Sequence, residues 1–431
     1  MPRNLKLSIV GMTSLGFFLA IYLAGCSNQP GDTGAIERSA IGDTLIVRTF
    51  LPEVLPLPLY TLEPDLCIGV EEGPEEYVLL NPGAIAVDED GNIYVSDQQA
   101  GEIRIFDQQG RHRLTFGRRG EGPGEFNSWV LGRSSGGIGG QRGNFLDQLW
   151  SRFQVQPREG DMITVEDLPE LKVFDRTGGY LTSFNLSHIP ESRHFPAATA
   201  MKIEWYPEKE YLVSVFSRQQ LPGTPRSVRL VALEEDLEII QAMPVVILPE
   251  NIYRSQEYRR NFVLPFVPTF CHAVTSDGRL VWGSGVDYRL DTWHPERGEW
   301  LRIELDLDPE PVSSASLETW KAEFLGRIVS EDREVYRALL NEATYPEYQP
   351  TYAALLGDDA GRIWVQRYVP VPGPHGEDMF RYDLITSEGD WLGIVDSPAR
   401  LYCVSGGAAY WLDFASYPVI HRALLVPESS P

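Results

Sequence analysis

The chain has 431 residues, 43% of them hydrophobic and 23% charged, with 39 glycines and 32 prolines. That is the make-up of a folded globular protein, and it excludes a disordered, collagenous or fibrous chain. A formal net charge of −24 tells against nucleic acid as a partner, because phosphate binding is driven by clustered Lys and Arg and no long basic tract is present.

Arg3 and Lys6 make a short basic start, Leu7 to Tyr22 is mostly apolar, and Leu23-Ala24-Gly25-Cys26 follows. This is the layout of a secretory signal with small residues at the cut. The apolar run is broken by Gly11, Thr13, Ser14 and Gly16 and falls short of the ~20 residues a membrane span needs, which disfavours a retained anchor. Leu23-Ala24-Gly25-Cys26 resembles a bacterial lipobox. The resemblance implies a lipoprotein: residues 1–25 are a signal peptide that is removed, and Cys26 becomes the lipidated, palmitate-bearing first residue. Ser27, where an Asp is absent, is similar to lipoproteins sent to the outer membrane. Residues 26–42 are small or polar and read as a flexible tether. The expected location is the cell envelope, with the membrane as a partner through the lipid anchor.

Asp43 to Phe50 reads as a strand, followed by a proline-rich crossing from Pro52 to Pro58 and a further short strand ending at Cys67-Ile68-Gly69. Ala84 to Asp97 alternates apolar and polar residues on both sides of an acidic turn ending in Gly91, a β-hairpin signal. Glu102 to Asp107, the turn Gln108-Gln109-Gly110 and His112 to Gly117 complete four short strands, the size of one propeller blade. Gly120-Glu121-Gly122-Pro123-Gly124-Glu125-Phe126 then forbids regular continuation. This loop echoes Glu72-Gly73-Pro74-Glu75-Glu76-Tyr77: Gly73 and Gly122 lie 49 residues apart, as do Tyr77 and Phe126. Repeats at ~40–50 residues mean stacked units that bury one another's faces. The pattern Asp-x-x-Gly-Asn-Ile-Tyr-Val-x-Asp, then Phe-Asp, then Gly-Pro-Gly-x-Phe, resembles the NHL-repeat family of six-bladed β-propellers, closely over residues 65–126. What it implies is an all-β, six-bladed ring in residues 43–431.

Val130 to Gly160 interrupts the pattern. Its glycine run from Gly132 to Gly143 lacks the Walker lysine, a helix start and the Gly-x-Gly-x-x-Gly spacing, so it reads as a flexible insertion and not a nucleotide cradle. Asn144 to Gln156, with Phe145, Leu149, Trp150 and Phe153, is expected to form one or two helical turns on a blade edge. Three strands of a second blade follow between Asp161 and Phe184. A third blade is weaker, over Met201–Trp205, Tyr211–Phe216, Ser227–Leu233 and Leu237–Met243. The fourth runs from Cys271 to Leu305. Patterning then breaks at Ser313: Leu317, Trp320, Phe324 and Ile328, then Val335, Tyr336, Leu339 and Leu340, recur at helical spacing and predict a helical insertion over 313–341, with Ser316 and Ser330 as caps. A fifth blade spans Ala353 to Val395. It resembles bacterial six-bladed propeller lipoproteins, in which a proline-flanked segment precedes an Asp-x-x-Gly-x-x-Trp-Val strand pair. The sixth has only three strands, Leu401–Val404, Ala408–Phe414 and Val419–Val426, so the strand ending at Ile68 is expected to close the last blade and remove the open edge.

No catalytic constellation stands out. Asp88, Asp90, Asp277, Asp358 and Asp359 precede turn glycines, and Asp97, Asp107 and Asp175 end strands, as turn-forming aspartates do. A calcium site needs six to eight converging oxygens. The seven histidines are scattered without His-Glu-x-x-His or Cys-x-x-Cys, and Gly283-Ser284-Gly285 lacks the nucleophile elbow. No metal ligand, catalytic residue or cofactor is therefore assigned. Cys67, Cys271 and Cys403 lie in expected strands as buried thiols; one disulfide, Cys67 with Cys403 across the closing blade, is the minority alternative.

Two functions fit. One is a non-enzymatic envelope lipoprotein whose propeller end, bearing the Val130–Gly160 and Ser313–Pro350 insertions, binds a glycan, peptide or partner protein. Trp150, Arg152, Tyr345 and Tyr348 are its candidate contacts, since aromatics and arginine carry most interface energy. The other is a metal-assisted hydrolase or lyase, implied by the resemblance to propellers that hold an ion in the central channel. Few acids in the innermost strands favour binding.

Overall fold

A computed structural model describes residues 35–126, 153–158, 162–167, 170–185, 198–206, 211–218, 225–234, 239–255, 257–373 and 377–428. Its strands build a six-bladed β-propeller. Blade 1 comprises Pro82–Val87, Ile93–Asp97, Glu102–Phe106 and His112–Phe116. Blade 2 comprises Phe153–Arg158, Met162–Asp167, Glu170–Asp175 and Tyr180–Asn185. Blade 3 is Ala198–Tyr206, Tyr211–Arg218, Arg226–Glu234 and Ile239–Ala242, with Val246–Leu248 also on its third strand. Blade 4 is Cys271–Val274, Leu280–Gly283, Arg289–His294 and Glu299–Leu305. Blade 5 is Tyr352–Gly357, Ile363–Arg367, Asp378–Ile385 and Trp391–Ser397, with Val371–Pro372 on its third strand. Blade 6 is Leu401–Ser405, Ala408–Asp413 and Val419–Pro427.

A blade is covered by neighbours on both faces, so its second strand is buried along its whole length, as Ile93–Asp97 is. The cores accordingly lie between blades. Tyr94, Ile103 and Phe116 of blade 1 pack on Ile163, Val165 and Phe174 of blade 2. Leu290 and Ile303 of blade 4 pack on Leu355, Val365 and Ile394 of blade 5. The 49-residue echo is a real structural repeat. Tyr77 packs tilted against Phe106 at 5.7 Å, and Phe126 packs tilted against Phe174 at 5.6 Å. Each loop also caps a buried cation of the blade it enters: Arg104 donates to the Val78 carbonyl at 2.6 Å, and Lys172 to the Glu125 carbonyl.

Tyr60–Ile68 pairs antiparallel with Val419–Pro427 and completes blade 6, as the three-strand shortfall predicts. Upstream, Thr44–Phe50 runs parallel to the outermost strand of blade 4, Glu299–Leu305, and buries Val47 in the core between blades 4 and 5. The proline-rich crossing therefore straps blade 5, where Leu59 donates its N–H to the Ile394 carbonyl at 2.7 Å. Ala35–Ile41, read from sequence as tether, is a strand paired to Thr44–Phe50. All seven of its residues are exposed; backbone pairing through a turn at Gly42 holds it, and such pairing leaves no hydrophobic signature. Phe153–Arg158, partly expected as helical turns, is instead the innermost strand of blade 2.

Two helices follow blade 4: α1, Ser314–Arg327, and α2, Arg333–Glu342. Ser313, not Ser316, caps α1, its Oγ accepting the Ser316 N–H at 3.0 Å. Asp332, not Ser330, precedes α2 and makes no side-chain cap there, because its carboxylate faces Arg260 at 3.4 Å. Among the described residues no helix is long and apolar enough to cross a membrane.

Candidate functional site

Strand direction alternates within a blade, so every crossing from an outermost strand to the next innermost strand leaves from the same end of the ring. Crossing from blade 5 to blade 6 takes only residues 398–400, between Ser397 and Leu401. The crossings from blade 3 to 4 and from blade 4 to 5 are far longer and build structure of their own. The first contains a hairpin, Ile252–Ser255 with Arg260–Val263; the second contains α1 and α2.

The two crossings share one core. Phe262 of the hairpin is 3% exposed and packs at a tilt against Tyr253 at 5.3 Å, Phe324 at 5.6 Å and Trp320 at 6.2 Å. Phe324 in turn meets Tyr336 at 5.7 Å, joining α1 to α2. Ion pairs bracket this core, Arg260 with Asp332 across the crossings and Lys321 with Glu318 along α1. Arg259 and Phe266 hold left-handed backbone, at φ 51° and 58°. Such strain persists only where the surroundings fix it. Phe266 packs edge-on against Tyr368 of blade 5 at 6.4 Å, and burial pushes the Tyr368 hydroxyl up to about 12.

Tyr345 and Tyr348 both lie on the return from α2 to blade 5. The Tyr345 hydroxyl donates to the Leu340 carbonyl at 2.7 Å, its ring carries Lys321 at 5.3 Å, and burial raises its pKa. Tyr348 is 53% exposed, bridged through its backbone to Pro311. Val263, Val286 and Val329 are also exposed. Tyr345 is thus a packing support, while Tyr348 lies on the surface. Trp150, Arg152 and Cys26 lie outside the described residues. The hairpin was missed because its apolar residues Ile252, Tyr253, Phe262 and Val263 do not alternate; the one signal available was the aromatic density of Tyr253, Tyr258 and Phe262.

At the hub, the six innermost strands carry one carboxylate between them, Glu204. The turn aspartates are spent elsewhere. Asp88 accepts from the Asn92 N–H at 2.8 Å and the Tyr94 hydroxyl at 2.9 Å, and Asp358 accepts from the Arg362 N–H at 2.8 Å and the Trp364 indole at 2.8 Å. Among the described residues no three His, Cys, Asp or Glu side chains are grouped to hold a metal. Cys67, Cys271 and Cys403 form no disulfide, which removes the Cys67–Cys403 pairing, and only Cys271 is fully buried as expected: Cys67 is exposed on its edge strand and Cys403 half-buried. Cys67 sits on the outermost strand of blade 6 and Cys403 on the innermost, with two strands between them.

These elements define a six-bladed β-propeller, closed by an N-terminal strand and elaborated on one end. No protein-family model matches the chain, nor does any curated protein. Among solved structures it is similar to a member of the DUF4221 family from Bacteroides vulgatus, at 11% identity and TM-score 0.46 over 87% of this chain and 100% of that one. It is also similar to virginiamycin B lyase from Staphylococcus aureus, at 11% identity and TM-score 0.37 over 85% and 100%. A third is a luciferin-regenerating enzyme, at 12% identity and TM-score 0.39 over 82% and 94%.

Proposed function

We propose that the chain is a non-enzymatic cell-envelope lipoprotein, anchored through an acylated Cys26, that binds a partner polypeptide with the insertion-bearing end of its propeller. The observation that carries the binding reading is the hairpin and helix pair. A crossing of three residues suffices elsewhere in the ring, so a separate aromatic core built over two crossings serves something other than closure. It holds Tyr348 outward on a fixed base, and tyrosines so placed contribute strongly at interfaces. A metal-assisted hydrolase or lyase at the hub draws on little, since Glu204 is the lone acid of the innermost strands.

The test has two arms. Feeding a clickable palmitate analogue should label the full chain and not its Cys26→Ser variant, which should leave the membrane fraction. A photo-crosslinking amino acid at Tyr348 should trap a discrete partner, while the same group at Glu89, on the opposite end, should not. Equal crosslinking at both positions overturns the binding face; unlabelled wild type overturns the anchor.

A further inference from the structure

Closure of blade 6 assembles a cluster that serves no purpose in the binding face. Register sets Cys67 opposite His421 and His421 opposite Trp411 across three strands, so all three side chains share one side of the sheet. Cys67 Sγ lies 3.3 Å from His421 Nδ1. On the far side of the ring, Asp413 Oδ2 lies 3.9 Å from His421 Nε2. Asp413 is fixed through its other oxygen, Oδ1, by the Ala415 N–H at 2.8 Å, and the imidazole lies flat on the Trp411 ring at 5.3 Å and 10°. A bulge between Pro64 and Leu66 sets the register; a one-residue slip would turn Cys67 to the other face.

We propose that Cys67, His421 and Asp413 form a reactive-thiol site on the outer wall of blade 6 whose substrates are small disulfides. The thiol and the carboxylate address opposite nitrogens of one imidazole, so the thiol proton passes to the imidazole beside a fixed negative charge and the three groups do not converge on an ion. His421 Nδ1 takes the Cys67 proton and the Asp413 charge, 3.9 Å from Nε2, favours the imidazolium that forms, while stacking on Trp411 holds the ring. The thiolate sulfur attacks one sulfur of R–S–S–R. A Cys67–S–S–R bond forms, the old disulfide breaks, and the departing RS⁻ takes the proton from His421 to leave as RSH. Among the described residues no second cysteine is placed to resolve the mixed disulfide: Cys403 is three strand spacings away, about 14 Å. Exposure selects Cys67. Cys271 is buried with its thiol on the Ala353 carbonyl at 3.3 Å, and burial pushes the Cys403 thiol up to about 12. The site stands whether or not the chain is lipidated.

The experiment treats the folded full chain with oxidised glutathione, and separately with iodoacetamide, at neutral pH, and reads modified peptides by mass spectrometry over time. Cys67 should be modified first and Cys271 and Cys403 spared. His421→Phe keeps the ring on Trp411 and should slow Cys67 about a hundredfold, the low end for loss of a general base. Asp413 is 51% exposed, so Asp413→Asn leaves the fold intact and should slow it by a smaller factor, with an unchanged melting temperature. Equal rates in wild type, His421→Phe and Asp413→Asn, or modification of Cys403 as fast as Cys67, overturn the proposal.

Discussion

The Tyr288 hydroxyl of blade 4 donates to Asp383 Oδ2 of blade 5 at 2.7 Å, with both residues buried. Asp383 also accepts from Arg367 Nε at 2.9 Å, Arg367 Nη2 at 2.8 Å and the Trp391 indole at 3.0 Å. Four donors satisfy the one carboxylate. Burial, reinforced by the Asp383 charge, holds the Tyr288 pKa well above its ordinary value, so the tyrosine remains a donor and pins the two blades together.

Removing one partner strands the others. Asp383→Ala leaves the Arg367 guanidinium buried without a counter-charge and should cost about 3–5 kcal/mol of unfolding free energy. Tyr288→Phe deletes one hydroxyl and leaves Asp383 three donors, so about 1–2 kcal/mol is expected. Urea unfolding of both variants checks the order; a Tyr288→Phe loss equal to that of Asp383→Ala would show that the network is not centred on the carboxylate.

Blade closure makes a second prediction. Ile68 is 1% exposed in the core between blades 6 and 1, and Ile68→Ala should cost about 2–4 kcal/mol. Deleting residues 1–42 removes one exposed strand and should leave the oligomeric state and melting temperature close to those of the full chain. Deleting residues 1–69 bares the edge of Val419–Pro427, and size exclusion should show aggregates or strand-exchanged dimers.

Blade 1 was legible whole because Asp-x-x-Gly turns and period-two burial are local features, and the closing strand was legible by counting. What escaped the sequence depends on distant partners. Ala35–Ile41 is a strand only through its turn, and the parallel pairing of Thr44–Phe50 with Glu299–Leu305 has no local mark. Cys67 was weighed against Cys403, yet its neighbour is His421, 354 residues away, because the closing strand joins the outside of the blade and not its inner edge. Of the candidate contacts, Tyr345 looked like Tyr348 in sequence; only the packing of α1 and α2 separates support from surface.

Gly178 separates two costs. Its φ is +81°, and an added Cβ would sit 2.5 Å from Phe116 Cβ in the neighbouring blade. Gly298 has a similar φ of +62° with nothing within 4 Å. Gly298→Ala should therefore cost only the left-handed backbone, about 1–2 kcal/mol, while Gly178→Ala adds overpacking of about 1–3 kcal/mol. Thermal or urea unfolding of the pair measures the difference, and equal losses would mean that this turn does not bear on blade 1.

Three carboxyls contribute to the acid limb of stability. The Thr177 hydroxyl and the Gly179 and Thr177 N–H groups hold Asp175 below the usual carboxylate range, and the Gly122 N–H and Arg118 do the same for Glu125. Burial opposes ionisation of Asp107, but hydrogen bonds from Arg111 and Gln109 outweigh it and lower its pKa too. Each group has a lower pKa folded than unfolded, so the unfolded chain binds more protons and stability rises with pH. The contribution is complete above the unfolded value of about 4 and is lost as pH falls through the folded value. Asp175→Asn removes one such charge, so its melting temperature should lie below wild type at pH 7 and the gap should shrink steadily as pH drops below about 4. A gap that stays constant or widens in acid would show that Asp175 supports the turn by shape alone.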